Sequence, residues 1–169
     1  MDDLSATAVA NTLSTRWVGQ VCQLFPELDS TNDLLKEMVH QGTDDDPAAG
    51  MMLLTDFQTK GRGRLARRWE APPGSSLLLS LLFRPNWPAA QANWLTMLVS
   101  VAATEAIAQQ TGLKVCLKWP NDIMVQQSGQ WHKVSGILQE GGFGANGRLQ
   151  WAIVGIGINV NIPAAQVPD

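Results

Sequence analysis

A basic, glycine-punctuated segment, GRGRLARRW at residues 61–69, carries the clearest chemical signal in the sequence. With Lys60 it holds five of the chain's twelve lysines and arginines within nine positions. Arginine presents forked N–H donors that match phosphate and carboxylate oxygens, and Gly61 and Gly63 let the backbone approach a ligand closely or adopt positive φ. Closing a turn requires no such charge. The segment is therefore predicted to bind an anion.

Two other segments place hydrogen-bonding side chains where a ligand could meet them. Ser30, Thr31 and Asn32 precede a helical pattern of apolar residues. They could simply cap the helix, or they could use its positively polarised start to hold a polar ligand group. The segment KWPND at residues 118–122 could be a strand, a proline-fixed turn and a second strand, or part of a site. From these residues alone, a structural role and a ligand-binding role are both possible for each segment.

Two glycine-containing segments indicate close packing against backbone. Lys133 opens KVSGI, in which Gly136 marks either close approach of a ligand or a bulge. The segment GIGINVN at residues 155–161 lacks the third glycine of a dinucleotide-binding fingerprint, so it indicates a buried strand. No GxxxxGK[ST] loop occurs, and His40 and His132 have no metal-binding pattern around them. Kinase-like and zinc-dependent chemistry have no support.

Composition limits the class of protein. The chain has 169 residues, 45% of them hydrophobic, and a formal net charge of -3. These values predict one domain over residues 1–169 and argue against general nucleic-acid binding. Cys22 and Cys116 form no disulfide framework and are expected to be reduced. No apolar run approaches the roughly 20 residues of a membrane-spanning helix, and the acidic start lacks a signal-peptide pattern. We expect a cytoplasmic protein without a membrane partner.

The elements that must position these segments follow from the spacing of apolar residues. That spacing predicts a helix over 31–41 and a core helix over 94–110 that ends at Gly112. Strands are predicted at 51–55, 76–83, 113–118, 122–125, 133–140 and 149–160, with turns near Gly129 and at 141–144, a solvated loop at 44–46 and a frayed end at 162–169. Strands joined by short turns predict an α+β fold: a mixed, largely antiparallel sheet with helices packed on one side.

Taken together and in order, these segments resemble the catalytic domain of biotin protein ligases, which has a class II aminoacyl-tRNA synthetase-like fold. The match rests on five motifs: DSTN at 29–32, Gln58 with GRGR at 61–64 and RRW at 67–69, KWPND at 118–122, KVSGI at 133–137, and GIGINVN at 155–161. One such motif would be weak evidence, whereas five in this order and spacing are specific. The resemblance covers residues 29–161.

The resemblance implies a two-step reaction. The biotin carboxylate attacks the α-phosphate of ATP to give biotinyl-5′-adenylate and pyrophosphate. A lysine of the biotin carboxyl carrier protein of acetyl-CoA carboxylase then attacks the acyl group. Because two anions meet in the first step, catalysis would depend on cationic shielding and alignment. The implied catalytic residues are Lys133, Arg62 and Arg64.

The resemblance also implies ligand contacts for the other residues of the motifs. Biotin would contact residues from three motifs: Ser30, Thr31, Asn32, Gln58, Gly61, Arg62, Gly63, Arg64, Lys133 and Gly136. ATP would contact cationic, amide and carboxylate side chains: Arg62, Arg64, Arg67, Arg68, Lys118, Asn121, Asp122, Lys133 and Asn159. Asp122 would join the shell of the Mg²⁺ that accompanies the triphosphate, or orient a cation. Trp69 would pack the closed loop.

The sequence departs from the family in two places. Ala66 stands where glycine is usual, which would strain the loop if φ there is positive. Family members also continue past the last motif with a C-terminal β domain, which we expect to be missing here, leaving biotin binding but poor adenylation. About thirty residues precede the first motif, too few for the winged-helix domain of repressor relatives, so direct DNA binding is not expected. An exposed sheet edge and the family's habit of pairing are consistent with a homodimer.

Two alternatives compete with a ligase. A lipoate or octanoate transferase on the same fold would also handle a carboxylate on an alkyl chain, although the STN, GRGR and KWPND segments disfavour it. The C-terminal part that we expect to be missing motivates the second alternative, a non-catalytic biotin-binding module or fragment. Biotin binding without release of pyrophosphate would identify such a fragment.

Overall fold

One eight-stranded sheet organises residues 5–41 and 46–162, the part of the chain that the structure, a computed structural model, describes. The helices are α1 Ala6–Thr12, α2 Thr31–His40 and α3 Ala92–Thr111. The strands are β1 Cys22–Leu28, β2 Met52–Gln58, β3 Ser76–Phe83, β4 Trp87–Pro88, β5 Lys114–Lys118, β6 Asp122–Gln127, β7 Gln130–Phe143 and β8 Arg148–Asn159. Their order is β1-β2-β3-β8-β7-β6-β5, with β4 beside the start of β8. β1 and β2 are parallel, and the other neighbouring strands are antiparallel.

The centre of the sheet is apolar on both faces. Alternate residues of β3, SLLLSLLF, point to opposite sides, so Leu78 and Leu82 lie on one face and Leu79 and Leu81 on the other. A strand with one solvent-exposed face would alternate apolar with polar residues. In β3 the only polar residues are the two serines. The strand therefore needs a cover on each side.

The two longer helices supply those covers from opposite sides. α2 packs Leu35 with Leu82 and Ile153 on one face, whereas α3 packs Leu95 with Val154 on the other. Ile153 and Val154 are neighbours in β8 and so point in opposite directions. The predicted α+β class with a mixed, largely antiparallel sheet is confirmed. The prediction of helices on one side is wrong, because a strand that is apolar on both faces has to be covered twice.

Most predicted elements are present with small shifts of their ends. The helix predicted over 31–41 is α2, and the core helix is α3, which Gly112 ends with φ 66 in the left-handed region. The strand predicted at 76–83 has those bounds. The sequence patterns predict neither α1 nor β1. Gly42, two of the three aspartates of the predicted solvated loop and nearly all of the predicted frayed end lie outside the described residues.

The turn between β7 and β8 lies later than predicted. Residues 144–147 form it, and the Gly147 N–H donates to the Gly144 carbonyl at 2.9 Å. Gly141 and Gly142 are instead part of β7, where added Cβ atoms would collide with side chains of β8. The predicted turn position is therefore wrong, because these two glycines make room for neighbouring side chains and do not reverse the chain. Within the described ranges, no helix is long and apolar enough to cross a bilayer.

Replacing Leu35 with alanine should destabilise the protein by about 2–5 kcal/mol, because the side chain is fully buried between α2 and the sheet. Leu98→Ala is the matched control, since that leucine is 59% exposed on α3, and its effect should stay within about 0.5 kcal/mol. Urea unfolding of both variants measures the difference. Equal losses would contradict the packing of α2 described above.

Candidate active site

A cavity of about 230 Å³ opens on the face of the sheet that α2 covers. Its walls come from the start of α2, the end of β2, the basic loop (residues 60–69), the turn before β6, and the centres of β7 and β8. Most of the sequence-predicted site residues meet there: Ser30, Thr31, Asn32, Gln58, Arg62, Gly63, Arg64, Arg67, Arg68, Asn121, Asp122, Lys133 and Gly136. Residues far apart in the chain thus converge on one site.

Three glycines on the α2 face form the floor of the cavity. Gly136 of β7 is paired with Gly157 of β8, and Gly155 lies two residues away on the same face. A Cβ on Gly157 would lie 2.5 Å from the Trp69 ring, and one on Gly136 would lie 3.0 Å from it. A Cβ on Gly155 would collide with the Asn32 amide. Only glycine lets Trp69 and Asn32 lie directly on the sheet backbone.

Hydrogen bonds fix the polar end of the cavity at the start of α2. Ser30 caps the helix by accepting the Asp33 N–H. The Gln58 Oε1 atom accepts both the Thr31 N–H at 2.8 Å and the Thr31 hydroxyl at 3.2 Å. Because its oxygen is engaged there, the Gln58 amide leaves its N–H₂ donors on the opposite side, beside Gly61.

Asn32 is held from three sides although it carries no charge. Its Oδ1 atom accepts the Ser80 hydroxyl at 2.6 Å. Its Nδ2 atom donates to Glu140 Oε2 at 3.1 Å and lies 3.4 Å from the Leu138 carbonyl. Only 3% of Asn32 is exposed. The amide therefore has one orientation, with its oxygen toward the centre of the sheet.

Glu140 joins α2 to the basic loop. Its carboxylate accepts from Arg62 Nη1 at 3.0 Å and Nη2 at 3.1 Å, and from Lys36 Nζ at 3.3 Å. Arg62 also contacts Asp33. Burial acts to raise the pKa of Glu140, but the Asn32 hydrogen bond and the charges of Arg62 and Lys36 more than offset it and hold the pKa below its ordinary value. We call Glu140, Asn32, Lys36 and Arg62 the Glu140 cluster.

Cations gather at the other end of the cavity. Lys133 Nζ lies 2.8 Å from Asp122 Oδ1 and 5.9 Å from the centre of the Trp69 ring. Arg64 donates to Asn121 Oδ1 at 2.7 Å, and the Asn121 amide donates in turn to the Ile137 carbonyl at 3.0 Å. Asn121 thereby ties the basic loop to β7.

The backbone of the basic loop departs from ordinary conformations. Leu65 and Ala66 have φ values of 56 and 59, in the left-handed region that favours glycine. The strain expected at Ala66 if its φ is positive therefore applies, at a cost of roughly 1–2 kcal/mol. Gly61 is constrained differently, because a Cβ there would collide with the Trp69 carbonyl oxygen.

Two predicted nucleotide contacts lie outside the cavity lining. Lys118 is exposed at the end of β5, and Asn159 accepts from the Ser76 hydroxyl at 3.2 Å. Asp122 is paired with Lys133, which corresponds to orienting a cation, and the described residues contain no cluster of three metal-binding side chains around it. The ligand roles of all these residues stay predictions.

Several residues of the site are not predicted as ligand contacts from the sequence. Ser80 is fully buried and bonds Asn32, and its signal is a lone polar residue inside the apolar run LLLSLLF. The glycines Gly155 and Gly157 share a face because they are two residues apart in a strand. Trp69 packs the loop as expected but also lines the cavity, and its indole N–H is buried with no hydrogen-bond partner among the described residues. Glu140 gives no local signal.

Fold and site together define an α+β domain with one cavity that has a polar, an apolar and a cationic part. The profile of the biotin/lipoate A/B protein ligase family matches residues 24–159. That match covers most of the chain, and the chain belongs to this family.

Individual relatives agree with the family match. The chain is 33% identical over 166 residues to the bifunctional ligase/repressor BirA of Bacillus subtilis, covering 98% of this chain and 48% of that protein. It is 30% identical over 145 residues to the biotin–[acetyl-CoA-carboxylase] ligase of Mycobacterium tuberculosis, covering 83% of this chain and 50% of that one. The chain thus spans about half the length of these curated relatives.

A solved structure gives the same result for the fold. The biotin protein ligase of Aquifex aeolicus in complex with biotin and ATP superposes with a TM-score of 0.65 at 34% identity, covering 89% of this chain and 56% of that one. The class II aminoacyl-tRNA synthetase-like fold implied by the sequence resemblance is confirmed.

Gly157→Ala should destabilise the protein by about 1–3 kcal/mol, because the new methyl group forces Trp69 off the sheet. The same substitution in a Trp69→Ala background should cost less, since the colliding ring is gone. Thermal or urea unfolding of the two single variants and the double variant measures this coupling. Additive losses would show that Trp69 does not rest on Gly157.

Acidification should weaken the protein partly through Glu140. The pKa of Glu140 is lower in the folded protein than in the unfolded chain, where it is about 4.3. Its contribution to the free energy of unfolding is therefore complete above the unfolded-state pKa and is lost as the pH falls through the folded-state pKa. Glu140→Gln should therefore flatten the dependence of unfolding free energy on pH between about pH 2 and 5.

Urea unfolding at several pH values measures this dependence, with Glu27→Gln at an exposed position of β1 as the control. Parallel curves for wild type and Glu140→Gln would contradict the role of the cluster in acid stability.

Proposed function

We propose that this chain carries the catalytic site of a biotin protein ligase, which activates biotin with ATP and transfers the biotinyl group to a lysine of a carrier protein. One observation carries the proposal: the chemical character of the cavity changes along β7. Asn32 lies against Leu138, the glycine floor follows at Gly136, and Lys133 comes next. At about 3.3 Å per residue, the five steps from Lys133 to Leu138 span roughly 16 Å. A ligand with a polar head, an apolar body and an anionic tail matches this sequence of environments.

The polar end suits the ureido ring of biotin. That ring has one carbonyl acceptor and two N–H donors, and each needs a partner when buried. The Gln58 amide offers N–H donors, and Asn32 Oδ1 keeps a second lone pair besides the one that accepts from Ser80. Both amides are oriented before a ligand arrives, so little ordering would be needed on binding.

The apolar middle suits the thiophane ring and the alkyl chain. Its floor is the strip Gly136, Gly155 and Gly157, and Trp69 and Leu138 contribute apolar wall. The Trp69 ring and the Asn32 amide lie against this strip, so an apolar ligand would pack beside them, against the tryptophan and Leu138. Ligand sites of this type are mainly apolar with a few placed polar groups.

The cationic end suits the reaction itself. The biotin carboxylate oxygen attacks the α-phosphorus of ATP, the bond to the β-phosphate oxygen breaks, and pyrophosphate leaves. Lys133, Arg64, Arg67 and Arg68 line this end. Lys133 has the carboxylate of Asp122 beside it, and Arg68 has that of Glu70 at 3.7 Å. The excess of positive charge shields two approaching anions and stabilises the charge that develops on phosphate. In the second step the carrier amine attacks the acyl carbon and AMP leaves.

Mg²⁺ would enter with the nucleotide, as a shield for triphosphate charge. The described residues do not form a cage for it, since no three acidic, histidine or cysteine side chains come together and Asp122 is held by Lys133. Magnesium commonly keeps most of its waters and binds through substrate phosphates. We therefore assign the ion to the ATP substrate.

The relatives support the proposed substrates and acceptor. The Aquifex aeolicus protein is described with biotin and ATP, and the Mycobacterium tuberculosis protein is named for acetyl-CoA carboxylase. We propose the biotin carboxyl carrier protein of that enzyme as acceptor and the cytoplasm, where ATP is present and thiols stay reduced, as location. A net charge of -3 with the cations concentrated at one cavity disfavours direct DNA binding. The ends of the described sheet, β1 and β5, are edges at which two copies could pair.

Lys133→Ala should reduce formation of biotinyl-5′-adenylate by about a hundredfold or more, because it removes a cation beside the reacting groups. Mass spectrometry of the purified chain with biotin, ATP and Mg²⁺ measures the adenylate. Lys114→Ala is the control, since Lys114 is exposed on β5 and lies outside the lining of the cavity.

The other outcomes separate the alternatives. Retention of biotin without adenylate from the wild type would support the binding fragment. Adenylate from lipoate or octanoate but not from biotin would support the transferase-like alternative. Equal adenylate from wild type and Lys133→Ala would overturn the role assigned to this lysine.

A further inference from the structure

Glu140 has no part in the chemistry proposed above, yet it is one of the most heavily bonded side chains at the site. It belongs to β7 and points to the α2 face, opposite Ile153 in the register of β8. Only 17% of its side chain is exposed. A largely buried carboxylate is costly unless it is fully paired, so its surroundings carry information about its purpose.

The partners of Glu140 come from two elements that must cooperate. Arg62, at the root of the basic loop, uses both terminal nitrogens on the two carboxylate oxygens. Asn32 and Lys36, one turn apart on α2, bond one oxygen each. Asn32 and Arg62 share no hydrogen bond with each other. The Glu140 carboxylate thus connects the basic loop to α2.

The charges around Glu140 separate Arg62 from Arg64. Arg62 and Lys36 face the carboxylates of Glu140 and Asp33, so two cations meet two anions. Arg64 contacts only the neutral Asn121 among the described residues. An incoming anion would have to compete with two carboxylates for Arg62 but with none for Arg64. Arg62 is therefore suited to anchor the loop, and Arg64 to bind the anion.

We propose that Glu140 is a positioning residue that couples closure of the basic loop to the orientation of the ligand-binding amide of Asn32. This inference rests on the proposed function, because the ligand expected at Asn32 is the biotin head group. With Arg62 in place, the carboxylate accepts one Asn32 hydrogen and holds Oδ1 toward Ser80 and Gly155, at the floor of the cavity. When the loop withdraws, Glu140 keeps the Lys36 contact but loses its two bonds to Arg62, so Asn32 loses a fixed partner. Ligand binding at one end and loop closure at the other thus favour each other.

Glu140→Gln tests the proposal with little change of shape. Glutamine keeps one oxygen for Asn32 but cannot accept both Arg62 donors, so the loop should open more often. We expect faster amide hydrogen exchange over residues 61–68 without any ligand. The KM for biotin should rise about tenfold or more, the size expected for a lost charge-assisted hydrogen bond, with a smaller change in kcat. Glu70→Gln is the matched control, since Glu70 also faces a loop arginine, Arg68 at 3.7 Å, but is 66% exposed.

A mutant cycle tests the coupling itself. Asn32→Ala and Arg62→Lys should have strongly non-additive effects on biotin affinity in the wild-type background, although the two side chains share no hydrogen bond. In the Glu140→Gln background the same two effects should become additive, because the connecting carboxylate is gone. A role of Glu140 in general stability alone would leave the interaction between the two sites unchanged.

The outcomes distinguish this proposal from the proposed function. If the wild type binds biotin and Glu140→Gln matches it in KM and in hydrogen exchange, the positioning role is overturned and the ligase proposal stands. If the wild type binds no biotin, the ligase proposal fails. If hydrogen exchange over residues 61–68 is also equal in the two proteins, Glu140 does not anchor the loop. Faster exchange in Glu140→Gln would then keep the anchor without biotin as its ligand.

Discussion

The site depends on one steric constraint: a strip of the sheet must have no side chains. Gly136, Gly155 and Gly157 expose bare backbone on the face that α2 covers, and the Trp69 ring and the Asn32 amide rest on it. Trp69 packs the basic loop against the sheet, and Asn32 packs the start of α2 against it. Because both contacts use the same strip, the distance between loop and helix is fixed by the sheet, and the cavity is the space left between them. Ordinary strand residues there would fill that space and push both elements away.

Electrostatics then divides the clustered cations into two groups. Lys60 is exposed and paired with Asp29, and Arg62 is matched by carboxylates within the Glu140 cluster. Arg64 has only a neutral amide partner among the described residues. A count of charges in the sequence treats these residues alike, but their surroundings give them different tasks. Lys60 and Arg62 are held by carboxylate partners, whereas Arg64 keeps the attraction for an anion that such a partner would cancel.

The sequence predicts the parts of this arrangement that depend on local chemistry. Ser30 as a helix cap and Gly112 as a helix end follow from nearby residues, and the motif residues converge on the cavity as the family resemblance implies. The parts that it misses depend on pairing across the chain. Ser80 meets Asn32 across 48 positions, and Glu140 meets Asn32 across 108. No local pattern marks such partners, because a buried polar group is explained only by what the fold brings to it. The placement of helices on both faces is likewise decided by β3 and β8 together.

The two ends of the cavity also differ in how firmly they are held, and this difference suits the proposed reaction. At the polar end, Thr31, Asn32 and Ser80 are at most 3% exposed and are bonded to one another or to strand residues. At the cationic end, the hydrogen bond between Arg64 and Asn121 is exposed, and Leu65 is 86% exposed. Buried, mutually bonded groups open rarely, whereas exposed loops with few contacts open readily. In the proposed reaction, recognition would therefore use the part that is already ordered. The entropy lost on closure would fall mainly on the loop, which would admit two substrates and then exclude water.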